Sequence, residues 1–238
     1  MNRITMVSEK VFELDVLPPA WPRLRNWLAL LLVALALAAC SATPATHGAQ
    51  RPRDYPWVLA PPSAFEGHFL WRQHLVAKFG PRTLAFDAIL QRLGENVTLI
   101  GLGPGGTKAF VLRQSAAGID FKALMPNQLP FPPRFILVDV QRTFLPLLPA
   151  PERDGQRSFI LHEADKDAEH VDEVWLNGRR VERRYRRVDG APGGTIVIRY
   201  GAPDADGRPG LVTFDNPWFG YTLTIETVDA TTLAAPDA

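Results

Sequence analysis

The side chains that could support acid–base or metal chemistry are the five histidines and the ionisable residues within 162–170. Residues 162–170 place imidazoles and carboxylates side by side, and His68 and His74 are spaced so that one strand face could carry both. None of the five histidines forms a His-x-x-x-His or Glu-x-x-His pair on a credible helix, the spacing that presents two zinc ligands together. A solvated loop is therefore the favoured interpretation of residues 162–170, and no metal site is predicted.

Glycine-rich residues 101–106 (GLGPGG) satisfy the pattern G-x-G-x-x-G of dinucleotide-binding loops. Such a loop needs a following helix whose N-terminal amides hold the pyrophosphate, whereas residues 107–112 read as a strand and Pro104 has no amide hydrogen to donate. The segment is predicted to be a turn between strands. No Gly-x-Ser-x-Gly elbow is present either, so we expect no catalytic residues, no cofactor and no enzymatic activity. A hydrolase acting through residues 162–170 is an alternative left open.

The single cysteine, Cys40, ends a short apolar segment. Residues 27–39 carry no charge and follow Arg23 and Arg25. An apolar run of that length makes about 20 Å of helix, too short for a hydrocarbon core of about 30 Å, so a secretory signal peptide fits better than a membrane span. A short buried helix with a buried thiol is the alternative.

The residues around Cys40 resemble the lipobox of bacterial lipoproteins. Leu37-Ala38-Ala39-Cys40 has small residues before the cysteine, and the resemblance implies cleavage before Cys40 and attachment of lipid to its thiol. Several acyl chains would form a lasting membrane anchor. Because Ser41 rather than an aspartate follows, similarity to enterobacterial sorting rules implies the periplasmic face of the outer membrane.

Composition and charge divide the chain into four parts. Residues 1–39 are the predicted signal peptide, residues 40–64 the lipidated cysteine and a flexible Pro/Ala-rich tether, residues 65–230 a folded β domain, and residues 231–238 a tail. Residues 1–39 hold four of the 26 basic and three of the 25 acidic residues, so the remainder carries 22 of each. A nucleic-acid partner is not expected without excess positive charge.

The domain is predicted to be mainly β. In residues 83–91 apolar side chains alternate with polar ones, and Asn177-Gly178 separates two extended runs, the strongest short signal for a hairpin. Further extended runs are residues 97–102, 107–114, 119–124, 195–200, 210–215 and 221–228. Residues 132–145 are the exception, because they open with proline, precede Pro146 and place apolar residues at helical spacing. We therefore expect an α+β half-barrel, one curved antiparallel sheet with the helix on its concave face; a sandwich is the alternative.

A curved sheet covered by a helix commonly leaves an apolar hollow that can hold a hydrophobic ligand. From strand face and helix position, Trp71, Phe86, Phe110 and Phe135 are predicted to line it. Arginines crowd residues 179–187 and could contact anionic lipid headgroups, but the polar side of an exposed hairpin is the favoured interpretation. The aromatic residues in 216–221 are core or cavity lining.

Three phrases carry a wider resemblance: Leu70-Trp71-Arg72-Gln73-His74, residues 99–108 (LIGLGPGGTK) and Pro217-Trp218-Phe219-Gly220-Tyr221. With the lipobox and tether, they resemble an uncharacterised proteobacterial lipoprotein family associated with aryl-polyene biosynthesis clusters. More distantly, the order of strands and proline-opened helix is similar to the Lol lipoprotein carrier and receptor (LolA/LolB-like). The resemblance implies a cavity for acylated or polyene-type hydrophobic ligands, a trafficking role, and a periplasmic carrier protein as candidate partner. The alternative is a structural lipoprotein that scaffolds an envelope complex through protein contacts.

Overall fold

In the described part of the chain, short alternating segments separated by glycine turns form eleven strands and one α-helix. The computed structural model describes residues 55–125, 132–161, 168–190, 192–203 and 210–236; Cys40, the predicted signal peptide and residues 162–167 lie outside them. The strands are β1 Phe69–Phe79, β2 Arg82–Leu93, β3 Asn96–Leu102, β4 Lys108–Ser115, β5 Gly118–Ala123, β6 Gly155–Leu161, β7 Glu169–Leu176, β8 Arg179–Arg187, β9 Thr195–Tyr200, β10 Leu211–Asn216 and β11 Tyr221–Thr232. The helix, α1, spans Pro133–Phe144.

All eleven strands belong to one antiparallel sheet. Their order is β5-β4-β3-β2-β1-β11-β10-β9-β8-β7-β6, so two meanders join where β1 pairs with β11. The chain reaches β6 from β5, at opposite ends of this order, by way of α1. The predicted fold class, mainly β with one main helix, is confirmed.

The contacts of α1 show that the sheet is strongly curved. Phe110 of β4 lines a hollow together with Ile136 of α1, and Glu169 of β7 binds Arg142 of the same helix. In a flat sheet β4 and β7, eight strand spacings apart in this order, would be about 38 Å from each other. A helix with its side chains is only about 10–12 Å wide. The sheet therefore wraps around α1, as the half-barrel prediction requires.

Turn chemistry fixes the register of the hairpin formed by β7 and β8. Asn177 and Gly178 both have positive φ, 53° and 69°, which the two-residue turn of type I′ needs. Their backbone amides donate to the carboxylate of Asp154, at 2.8 Å for Gly178. The predicted hairpin is confirmed, but Val181 is an extra residue in β8, because Trp175 pairs with Arg180 and Val174 pairs with Glu182.

Residues 55–65, here called the strap, differ from the predicted tether of residues 40–64. Tyr55, Trp57 and Phe65 are buried. Gln141 of α1 accepts hydrogen bonds from the indole Nε1 of Trp57 (3.0 Å) and the backbone amide of Ala60 (2.9 Å). The packed domain therefore includes residues from Tyr55 onward. The alanines and prolines of this segment suggested a flexible tether. The aromatic residues Tyr55 and Trp57 were the sequence feature that could have indicated packing.

The one helix in the described part of the chain is twelve residues long. No helix there is both long and apolar enough to cross a membrane.

Candidate ligand-binding site

An apolar hollow lies between one face of α1 and the strands β1 to β4 and β11. Its volume is about 110 Å³. The helix contributes Ile136, Val140 and Phe144, which recur every four residues and so lie on one side of it. The strands contribute Gln73, Leu75, Ala77, Phe79, Leu84, Phe86, Leu99, Phe110, Tyr221, Leu223 and Ile225. Period-two alternation places these strand side chains on the concave face of the sheet.

The placement of Phe110 depends on a glycine in the neighbouring strand. Gly101 pairs with Phe110, and a Cβ on Gly101 would lie 2.2 Å from the Phe110 ring. No real Cβ tolerates that distance, so only glycine lets the ring lie over β3. The glycine-rich segment thus has a packing role at its first residue and forms a turn at Pro104–Gly106, as predicted.

A larger cleft of about 500 Å³ adjoins the hollow. Aromatic residues of β1, α1, β7 and β9 line it, together with the two arginines that open β8. The principal lining residues are Phe65, Phe69, Trp71, Phe144, Trp175, Arg179, Arg180 and Tyr200. Sites for small molecules commonly measure roughly 300–1,000 Å³, a range that includes the cleft and excludes the hollow.

Phe144 lines both spaces. The Trp71 ring lies 5.2 Å from the Phe144 ring, edge to face, and stacks on Phe69 at 4.1 Å. The indole nitrogen of Trp71 is buried without a hydrogen-bond partner in the described part of the chain. An elongated ligand could therefore occupy both spaces if the rings of Phe144 and Trp71 turned aside.

A polar group closes one end of the hollow. The carboxylate of Asp139 accepts hydrogen bonds from the hydroxyls of Tyr55 (2.5 Å) and Tyr221, and both hydroxyls also accept from the amide of Asn216. Burial raises the pKa of Asp139 to about 6, against the lowering effect of the two tyrosine hydrogen bonds. The same burial raises the pKa of Tyr55 and of Tyr221. Asp139 is thus the lining group whose charge changes most easily near neutral pH.

The opposite face of α1 contacts β7 to β9 through charged and polar groups. Arg142 is fully buried and donates two hydrogen bonds to Glu169, both 2.8 Å long. Four rings surround its guanidinium at 4.4 to 5.3 Å, those of Tyr55, Trp57, Tyr185 and Trp218. Burial opposes the charged form, but Glu169 outweighs it and raises the pKa of Arg142.

A second buried ion pair lies beside the first. Arg183 is 0% exposed, binds Glu173 at 2.7 Å and donates to the backbone carbonyls of Arg142 and Leu145 at the end of α1. Burial alone would raise the pKa of Glu173, but its three arginine partners, Arg183, Arg157 and Arg180, outweigh that effect and lower it. The expectation that residues 179–187 form only the polar side of an exposed hairpin is wrong, because Arg183 and Arg187 face the interior. A bulge and strand alternation separate these side chains from half-buried Arg184 and exposed Arg186.

The family model for DUF3261, described as a protein of unknown function, matches residues 70–229. This chain belongs to the DUF3261 family. The match runs from β1 into β11 and so includes most residues lining the hollow and the cleft, while the strap precedes it. A search of curated protein sequences finds no match to this DUF3261 protein.

Solved structures similar to this DUF3261 protein include three bacterial proteins. A LolA superfamily protein from Nitrosomonas europaea is 12% identical, with 72% of this chain and 88% of that chain covered and a TM-score of 0.42. A Vibrio parahaemolyticus domain named for outer membrane lipoprotein sorting is 10% identical, with 74% and 90% covered and a TM-score of 0.43. A DUF1329 family protein from Desulfovibrio piger is 10% identical, with 71% and 88% covered and a TM-score of 0.32. At these identities the structures say nothing about the ligand of this chain.

The four predicted ligand-binding residues fall into three places in this DUF3261 protein. Phe86 and Phe110 line the hollow, and Trp71 lines the cleft. Phe135 lines neither, because it points from α1 into the core and packs against Tyr55 (5.1 Å) and Phe219 (5.2 Å). Helical spacing identified the apolar residues of α1 without showing which of its two faces each one occupies.

The histidines that raised the question of metal binding have other surroundings. His74 lies on the sheet beside Asp87, with Nδ1 to Oδ1 at 2.9 Å, and Arg72 binds the second oxygen of that carboxylate. His68 precedes β1. Among the described residues no group of three or more metal-ligating side chains occurs. Most of the ionisable residues at 162–170 lie outside the described part, but Glu169 belongs to the buried pair with Arg142.

Proposed function

We propose that this protein is an outer-membrane lipoprotein, anchored through Cys40, that binds a hydrophobic ligand between its sheet and α1. The ligand would be acylated or polyene-type, or the lipid part of a lipoprotein, and binding would serve lipid or lipoprotein trafficking. The protein would act by binding alone, without catalysis. A periplasmic carrier protein that delivers or receives the ligand is the proposed partner.

The observation that carries this proposal is the unfilled apolar space beneath α1. Protein interiors ordinarily pack at the density of organic crystals, with few voids larger than a water molecule. Here an apolar hollow of about 110 Å³ and a cleft of about 500 Å³ share Phe144 as a lining residue. An alkyl chain in this space would gain about 0.8 kcal/mol for each methylene removed from water.

The test is displacement of a fluorescent acyl probe from the full chain carrying Cys40→Ser, so that no lipid is attached to the protein itself. Ala77 is buried and lines the hollow, and Ala77→Phe should fill that space and weaken probe binding at least about tenfold. Ala85→Phe, an exposed position on the opposite face of the sheet, is the matched control and should bind like the parent. Equal binding by both variants, or no binding by the parent, would contradict the proposal.

Anchoring through Cys40 is tested separately. Radiolabelled palmitate should enter the wild-type chain and not the Cys40→Ser variant, and the variant should leave the membrane fraction. A variant that remains just as membrane-bound would show that the thiol is not the anchor.

A scaffold that recruits a protein partner is the second candidate, favoured by two observations. Buried charged groups join α1 to β7 and β8, and Ile160 on the outermost strand β6 is 46% exposed. If this candidate is correct, Ile160→Lys should abolish co-purification of a partner while Ala77→Phe leaves it intact. The opposite pattern would support ligand binding.

A further inference from the structure

The cleft combines an aromatic lining with arginines, and it holds more positive than negative charge. In the described part of the chain, three charged side chains line it, Arg179, Arg180 and Glu66. Glu66 and Arg179 are exposed, whereas the Arg180 side chain is only 16% exposed. The least hydrated charge in the cleft is therefore a guanidinium.

Arg180 shares its only carboxylate partner in the described chain with two other arginines. Glu173 lies 2.5 Å from Arg157, 2.7 Å from Arg183 and 3.3 Å from Arg180. Among the described residues, three guanidinium groups around one carboxylate leave two positive charges without a counter-charge. Arg180 is the most distant of the three from Glu173, so its charge is the least neutralised and the most available to a ligand.

Arg180 also has hydrogen-bonding capacity to spare. A guanidinium has five N–H groups. The Nε of Arg180 is buried without a hydrogen-bond partner among the described residues, while Nη1 donates to Glu173. The guanidinium lies 4.7 Å from the ring of Tyr200, which also lines the cleft.

The bulge at Val181 is what turns this arginine towards the cleft. Arg179, Arg180 and Val181 all line the cleft, although successive residues of a regular strand point to opposite faces. The extra residue opposite Val174 and Trp175 breaks the alternation. Without it, the inward register of Arg183 and Tyr185 would direct Arg180 outwards.

We infer that the cleft binds the oxyanion headgroup, carboxylate or phosphate, of an amphiphile whose tail passes Phe144 into the hollow. This inference rests on the proposed function and adds the class of headgroup to it. Arg180 would supply the charge-assisted hydrogen bonds, because a guanidinium matches the geometry of both oxyanions. Arg179 would add an exposed charge at the rim.

The experiment uses the full chain carrying Cys40→Ser and four competitors with the same tail: dodecanoate, dodecyl phosphate, dodecanol and dodecyltrimethylammonium. Each displaces the fluorescent acyl probe, and the measured quantity is the affinity ratio of each anion to dodecanol. We expect at least one anion to bind about tenfold or more better than dodecanol, with the cation weakest. A preference for dodecanoate would indicate a fatty-acid type of ligand, and a preference for dodecyl phosphate a phospholipid type.

Two substitutions locate the preference. Arg180→Gln should reduce the ratio to within about threefold of unity and Arg179→Gln should reduce it less, because an exposed charge is screened by solvent. Arg184→Gln is the matched control, since Arg184 is on the same strand but bonded to Glu182 outside the cleft. Circular dichroism checks folding, and the exposed Arg179 keeps the test valid if Arg180→Gln does not fold.

Equal binding of all four competitors, or a preference that survives both substitutions, would overturn the headgroup inference while leaving the proposed function intact. If no dodecyl compound displaces the probe and the parent binds no probe, the proposed function itself fails.

Discussion

The two faces of α1 meet the same sheet in opposite ways. Towards β7 to β9, Arg142 is fully buried among four aromatic rings and bound to Glu169. Towards β1 to β4 and β11, Ile136, Val140 and Phe144 border an apolar space that the protein does not fill. Hydrogen-bonded ion pairs, whose geometry is closely specified, stabilise the half of the interior near β7 to β9. Apolar contacts, which have no preferred geometry, stabilise the half near β1 to β4 and β11.

The contrast shows how one curved sheet can combine a fixed and an adaptable half. A buried ion pair tolerates little displacement, because an unpaired buried charge costs several kcal/mol. Apolar side chains lose little when they rearrange around a ligand, since hydrophobic contacts have no preferred direction. The strap reinforces the fixed half, as Arg142 also donates to the carbonyl of Pro56 at 2.9 Å. We therefore expect ligand binding to rearrange the side chains that border the hollow and to leave Arg142 and its partners in place.

The largest effect should come from breaking the fixed half. Arg142→Met leaves Glu169 buried without its bidentate partner, and we expect the free energy of unfolding to fall by about 3–5 kcal/mol. Denaturant unfolding measures it. Arg72→Met, which breaks an exposed pair with Asp87, is the control and should cost less than about 1 kcal/mol. Similar losses for the two variants would contradict the assignment of Arg142 to the fixed half.

Asp139, at the border between the halves, should make stability depend on pH. Its pKa is about 6 in the folded chain and about 3.9 in an unfolded one. Between those values the folded state holds the proton more tightly, so stability falls as pH rises, by about 3 kcal/mol in all. Asp139→Asn should abolish this loss and stabilise the protein at neutral pH. Urea unfolding at pH values through this range is the measurement.

Asp87 provides a control of opposite sign for Asp139. The hydrogen bond between Asp87 and His74 lowers the pKa of Asp87, and the hydrogen bond with Arg72 lowers it further. The contribution of Asp87 to stability is therefore lost as pH falls. The Asp87→Asn variant should therefore still show the loss of stability with rising pH that Asp139 causes. If the Asp139→Asn variant still loses stability as pH rises through this range, another group causes the loss.

Gly101→Ala tests the packing of the hollow wall. The added Cβ would overlap the Phe110 ring, and overpacking of this kind costs about 1–3 kcal/mol. Gly193→Ala, where the nearest atom is 3.8 Å away, is the matched control and should be neutral or slightly stabilising. Thermal unfolding compares the two. The acyl probe should also bind differently to Gly101→Ala, since Phe110 lines the hollow.

Thr143→Val should give the smallest effect, and a favourable one. The Thr143 hydroxyl lines the hollow and is buried without a hydrogen-bond partner in the described part of the chain. Replacing it with a methyl group of similar size removes an unsatisfied polar atom, so the variant should be more stable by about 1 kcal/mol. A loss of stability would mean that the hydroxyl has a hydrogen-bond partner in solution.

Local pattern determined most of the secondary structure of this protein. The Asn177-Gly178 turn, the alternation in β2 and the proline at the start of α1 each depend on neighbours a few residues away, and the structure confirms all three. Alternation also identified Phe86 and Phe110, because a side chain on the concave face of a curved sheet must face the helix. Cys40 likewise stays a prediction from local sequence, outside the described residues.

Tertiary structure alone decided which face of α1 carries the buried ion pair and which borders the apolar hollow. The partners of Arg142 and Asp139 are Glu169, Tyr55 and Tyr221, between 27 and 84 residues away along the chain. The periodicity of a short sequence segment cannot reveal such distant pairs. Arg183, in an arginine-rich strand, was therefore predicted to be exposed, and residues 55–64 were predicted to be part of a tether. Burial of charge depends on where distant partners meet, and that is set by the way the whole sheet curves around the helix.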